Sequence, residues 1–186
     1  MFPLPGACLP GARPFPVITT GAQNMTKKPL ALALAAVAAL AALSPAQAQV
    51  TRTKANPNSV ISTTATVPPG STLYFISGTT PAPLDPANPE EMGDTRQQTI
   101  SVLERIKGHL ATLGLGMGDI VKMTVFLVGV PERDGRMDSP AMNEVFRTYF
   151  GTPEQPNTPT RSTIQIAALG RPKMYVEIEA IAAKAP

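Results

Sequence analysis

Two stretches near the C-terminal end alternate with period two, and they constrain the fold more than any other feature of the chain. In residues 161–166, Ser162, Ile164 and Ile166 share one side while Arg161, Thr163 and Gln165 share the other. In residues 174–181, Val176, Ile178 and Ala180 oppose Tyr175, Glu177 and Glu179, and Gly170 and Pro172 break the chain between the two stretches. Such alternation builds β-strands with one face against a core and one face free. The free face then carries Arg161 and Glu177, which come together if the two strands are neighbours in one sheet. On pattern alone this pair reads first as a cross-strand ion pair on a solvated face.

The upstream elements are consistent with a sheet covered by helices. Residues 49–58 are polar and are expected to be frayed. Val60 to Thr66 is rich in β-branched residues, Val67-Pro68-Pro69-Gly70 is a turn, and Thr72 to Ser77 is a second strand, so the pair reads as a hairpin. Four prolines between Gly78 and Gly93 mark a long surface loop, a kind of segment that is often functional. Asp94 is a good N-cap for a helix reaching Leu113 and stopped by Gly114, with Ile100, Leu103, Ile106, Leu110 and Leu113 on one apolar stripe. His109 lies just off that stripe and reads as a boundary residue rather than a base. Gly114-Leu115-Gly116-Met117-Gly118 follows a helix and lacks the lysine or helix start that a phosphate loop needs. Ile120 to Val128 is a third strand. Arg136 to Phe150 is a second helix with Met142, Val145, Phe146 and Tyr149 or Phe150 on its buried side. The scattered methionines read as packing.

Residues 25–48 have the three parts of a secretory signal: Lys27 and Lys28, an apolar run from Leu30 to Leu43, and the small-x-small site Ala46-Gln47-Ala48, which places cleavage after Ala48. Residues 1–24 have no periodicity and no acidic residue, so translation is expected to start at Met25. The expected location is the periplasm or the medium, with no membrane attachment after cleavage. All 13 acidic residues lie after Ala48, as do all the basic residues except Arg13, Lys27 and Lys28, so the mature segment is neutral although the whole chain carries +3. A neutral segment without a basic run argues against nucleic-acid binding. The single cysteine, Cys8, lies in the removed part, which excludes a thiol nucleophile or disulfide from the mature chain. One histidine and no mature cysteine leave a zinc site without its usual ligands.

The order of these pieces resembles the Rid/YjgF family. The residues that carry the resemblance are Ser77-Gly78, Gln97, Leu110 to Gly114, the run from Asp119 to Leu127, Asn143, Tyr149-Phe150, Pro159-x-Arg161-Ser162, Leu169, and the run from Val176 to Ala182. The resemblance implies an α+β, chorismate-mutase-like fold over residues 59–186: a mixed β-sheet with two helices on one face, assembled as a homotrimer with sites in the clefts between subunits. Two helices cover only one face of such a sheet, so the other face calls for a partner. The implied activity is cofactor-free and metal-free deamination of 2-imino or enamine acids. Arg161 would clamp the substrate carboxylate, Glu177 would activate water, and Asn143 and Ser77 would line the pocket. The family's N-terminal Gly-Pro-Tyr is missing, with Thr64 standing in the tyrosine's place. The alternative is a non-enzymatic trimer that binds small carboxylates or protects other proteins.

Overall fold

The computed structural model describes residues 49–186. The expected signal segment, Cys8 and the start at Met25 fall outside the described residues. Within them the chain runs β1 (Thr51–Thr53), β2 (Thr64–Thr66), β3 (Thr72–Thr79), α1 (Thr95–Thr112), β4 (Ile120–Val130), β5 (Arg136–Met137), α2 (Ser139–Tyr149), β6 (Thr160–Ile166) and β7 (Val176–Lys184). β4 is the axis of the main sheet. β7 pairs with it antiparallel along one edge, β6 pairs parallel along the other, β5 continues at its end, and β3 lies outside β7. Both α-helices pack on one side of this sheet, giving the expected α+β, two-layer, chorismate-mutase-like arrangement.

The helix ends are set by local chemistry. The Asp94 side chain accepts from the Gln97 backbone at 2.8 Å while the Gln97 side chain accepts from the Asp94 backbone at 3.1 Å, a reciprocal capping box. Leu113 closes α1 and Gly114 leaves it at φ +68°. The buried face of α1 is rotated from the expected stripe. Val102, Leu103, Ile106 and Leu110 are buried with Gln98 and Thr99, whereas Ile100 and Leu113 are 42% and 45% exposed. α2 begins later than expected, at Ser139 behind an Asp138 cap, because Arg136 and Met137 pair with Val130 and Gly129.

The expected hairpin between residues 60–66 and 72–77 does not form. β2 pairs with β1, inside the segment expected to be frayed, and β3 pairs with β7 from the far end of the chain. Pro68 and Pro69 offer no N–H to a ladder. Long-range bonds then fix the N-terminal segment: the Ser62 N–H donates to the Pro159 carbonyl at 2.8 Å, and Arg52 donates to the Gly118 carbonyl at 3.0 Å.

The helix-facing side of the sheet is core, with Met123, Val125 and Leu127 of β4 and Val176, Ile178 and Ala180 of β7 all buried. The other side is open. There Phe75 is 75% exposed, Ile164 47% and Leu73 46%.

Gln98 is a fully buried polar residue that joins the start of α1 to the segment leading into β7. Its amide nitrogen donates to the Gly93 carbonyl at 2.9 Å and the Lys173 carbonyl at 2.7 Å, and its oxygen accepts from the Tyr175 N–H at 2.7 Å. Leucine would fill the space and strand three backbone groups, each costing about 1–3 kcal/mol when left unpaired. Gln98→Leu is therefore expected to lower unfolding stability by about 3 kcal/mol in urea titration at fixed protein concentration. A loss below about 0.5 kcal/mol would show that the three bonds are dispensable.

Candidate functional site

The expected side-by-side meeting of Arg161 and Glu177 does not occur within one chain. β4 lies between their strands: Arg161 is level with Met123 and Glu177 with Phe126. Strand spacing and rise put the two residues about 14 Å apart. They also lie on opposite faces. Met123 faces the core and Phe126 the open side, and residues directly paired share a face, so Arg161 points toward the helices and Glu177 away from them. Ile164, on the side opposite Arg161, is the residue left exposed. Period-two alternation had grouped the residues of β6 correctly, but the face that is covered is the arginine's.

Arg161 is held by α2. One guanidinium nitrogen donates to Asn143 Oδ1 at 2.6 Å, the other lies 3.4 Å from Met142 Sδ, and the guanidinium carbon sits 4.4 Å from the centre of the Phe146 ring. Met142 and Asn143 lie four and three residues before Phe146, each about one turn away, so both flank that ring at the sheet edge. The ring and the amide fix a planar fork whose remaining N–H groups can take an anion. Burial first, and then the nearby Arg147 cation, bring the Arg161 pKa down to about 10, so it remains a cation at neutral pH.

Glu177 belongs to a second half-site on the open face. A Cβ placed on Gly78 would fall 1.9 Å from Glu177 Oε1, so this carboxylate lies over a space that only glycine leaves free. Ser77, next to Gly78 and exposed, sits beside it, where the β3 register shifts between Ile76 and Thr79. A cavity of about 360 Å³ adjoins this point and is lined by Ser77, Gly78, Thr80, Arg105 and His109. The structure thus brings Arg161 to Asn143 and Glu177 to Gly78, the neighbour of Ser77 in sequence, and keeps the two pairs apart. Thr64 is exposed and its hydroxyl is paired with Thr53 Oγ1 at 2.7 Å.

Three contributors were not singled out as site residues from the sequence. Phe146 read only as core, Gly78 only as part of a dipeptide, and Arg147 not at all. The four-residue spacing of Asn143 and Arg147 on a helix was the available signal for the last.

Comparison with known proteins resolves what this arrangement belongs to. The family model described as Endoribonuclease L-PSP matches residues 53–184. The chain belongs to the Rid/YjgF family. Within this family it is 36% identical over 112 residues to "Putative reactive intermediate deaminase TdcF" of Escherichia coli K12, covering 60% of this chain and 79% of that protein. It is also 36% identical over 113 residues to a RutC family protein of Pyrococcus horikoshii, again covering 60% and 79%. The Rid family protein YyfB of Yersinia pestis shares the fold with a TM-score of 0.56 at 23% identity, covering 73% of this chain and 98% of that one. A Vibrio vulnificus structure at 33% identity has a TM-score of 0.50 and covers 63% and 85%.

A fork that is half-buried and beside a second cation should bind small carboxylates in this Rid protein. Propionate at ten times its Kd is expected to add about 1.4 kcal/mol and raise Tm by about 4 °C, and to do neither in Arg161→Ala. Equal shifts in both proteins, at matched ionic strength, would place the anion elsewhere.

Proposed function

We propose that this Rid protein hydrolyses 2-imino and enamine acids to 2-oxo acids and ammonia, without a cofactor, at sites shared between copies of the chain. The observation that carries the proposal is the division of the site: an anion fork, Arg161 with Asn143, faces the helix side, and a carboxylate, Glu177 with Ser77, lies on the open face. Neither half is a complete site. A second copy docked on the apolar open face would supply the missing half and cover Phe75 and Leu73. The homotrimer implied by the family satisfies this for every subunit.

In the proposed reaction Arg161 binds the substrate carboxylate through two parallel N–H donors. Glu177 takes a proton from water as the water oxygen attacks the C=N carbon and passes it to the nitrogen, giving a carbinolamine. Glu177 then takes the carbinolamine hydroxyl proton and returns it to the amine as the C–N bond breaks and the carbonyl forms, and ammonia leaves. Water and imine are consumed, 2-oxo acid and ammonia are formed, and no oxidant is required. Asn143 acts as a positioning residue that holds the fork, and Ser77 lines the substrate pocket.

Export to the periplasm or medium is part of the proposal and is supported by the pattern of residues 25–48. RNA cleavage, which the family model's description suggests, is not favoured, because the segment after Ala48 has as many acidic as basic residues. The second reading is a non-enzymatic trimer that binds carboxylates or protects other proteins. It is favoured by Thr64 standing where the family's imine deaminases carry tyrosine.

The deciding experiment supplies a freshly generated 2-imino acid to residues 49–186 and follows ammonia. Arg161→Ala and Glu177→Gln are each expected to lose at least about 100-fold in kcat/KM. Refolding the two variants together should restore about a quarter of wild-type activity, since one in four shared sites then pairs an intact Arg161 with an intact Glu177. No recovery in properly assembled mixtures would refute the shared site. Carboxylate binding with no ammonia from the wild type would favour the binding protein.

A further inference from the structure

Beside the Arg161 fork lies a second cavity of about 320 Å³, lined by Lys54, Ser59, Val60, Arg147, Phe150 and Gly151, with no carboxylate in its wall. It is at the small end of the range for ligand sites. Its connection to Arg161 is structural. Phe150 packs on Phe146 with ring centres 5.6 Å apart, and Phe146 is the ring beneath the guanidinium. Arg147 follows Phe146 in sequence and lies one turn beyond Asn143, about 6 Å along the helix axis. On the opposite wall, Lys54 Nζ comes within 3.8 Å of where a Cβ on Gly151 would stand, and Gly151 has φ +73°.

The charges here differ from those elsewhere in the domain. The ion pairs among the described residues are Arg96 with Glu144, Lys107 with Glu104 and Arg133 with Asp138, so Lys54, Arg147 and Arg161 take part in none. Arg147 is also close enough to depress the Arg161 pKa, a sign of mutual repulsion between the two cations. One carboxylate on Arg161 would leave that repulsion partly unrelieved, whereas a second anionic group between Arg147 and Lys54 would offset it.

We propose that the site selects a substrate with two carboxylates: a 2-imino or enamine acid whose side chain ends in a second carboxylate, with Arg161 taking the first and Arg147 and Lys54 the second. The identity of the imino group rests on the deaminase reading above; the selection for two carboxylates rests on the cavity. The one-turn step of about 6 Å from Asn143, which holds the fork, to Arg147 suits a chain of roughly four or five carbons, given C–C bonds of about 1.5 Å. The reaction supplying such a compound would be one that dehydrogenates or eliminates from an acidic amino acid.

The test measures binding of succinate and glutarate against propionate and butyrate to residues 49–186 by calorimetry at fixed ionic strength, beside kcat/KM for mono- and dicarboxylic imino acids. The diacids are expected to bind about tenfold more tightly, a preference that falls to near onefold in Arg147→Ala and in Lys54→Ala and is partly kept in Arg147→Lys. Arg136→Ala removes the same charge from β5, level with Val130 at the opposite end of β4 from Arg161, and should leave the preference intact. Arg147→Gln serves if the alanine variant does not fold. A wild-type preference below about twofold, or one unchanged in both cavity variants, would overturn the proposal. A diacid preference without ammonia release would sink the deaminase reading and leave this inference standing. Turnover that is indifferent to the second carboxylate would do the reverse.

Discussion

The hydrogen bonding of β4 along both edges is the constraint on which the structure depends. Because β7 takes one edge and β6 the other, the last two strands of the chain cannot be neighbours. The register then separates their functional side chains twice, by an intervening strand and by the pleat. Arg161 lands level with a core residue and Glu177 level with an open-face residue. A one-residue shift of β6 would turn Arg161 to the open side and drive Ser162 and Ile164 toward α2, so the position of the fork is tied to the packing of the whole layer.

Placing an arginine on the covered face has an electrostatic cost that the local surroundings offset. Phe146 supplies a π face and Asn143 an oxygen, and Met142 fills the remaining contact with a soft, weakly polar atom. None of these is an anion. A carboxylate at this point would have locked the guanidinium in an internal ion pair, whereas a ring and an amide orient it and leave its charge uncompensated. The same reasoning applies to Glu177, whose carboxylate is accommodated by the missing side chain of Gly78 instead of by a basic partner.

The sequence made local features legible and non-local ones much less so. The cap at Asp94 and the stop at Gly114 are encoded within a few residues, and they are found as expected; the return bond from Gln97 is added by the structure. The alternation of β7 also identified the core face correctly. In β6 the same alternation pointed to the wrong face: Ser162, Ile164 and Ile166 are the more apolar set, yet the side that is covered is that of Arg161, because α2 packs there, far away in the pattern. The β1–β2 pair was illegible for a related reason. Three-residue strands carry little periodic signal, and their placement rests on bonds such as Ser62 to Thr158 at 2.7 Å, across nearly a hundred residues. Four residues of the candidate site were found through family resemblance. The partners that position them, Phe146 and Gly78, show their roles only through geometry.

The open face links assembly to chemistry within the proposed mechanism. Phe75 and Ile181 are cross-strand partners on the side that carries Glu177, and Phe126 is paired directly with Glu177. A copy that buried these apolar groups would also strip water from the carboxylate beside them. A carboxylate taken out of water needs a nearby cation to offset the cost. The incoming fork, with its uncompensated charge, is such a cation. In the isolated chain Glu177 is half-exposed and Arg161 lacks an anion, so neither group is in the environment its proposed role requires. Burial of the apolar face would thus provide the association energy and, in the same step, bring the fork to the carboxylate.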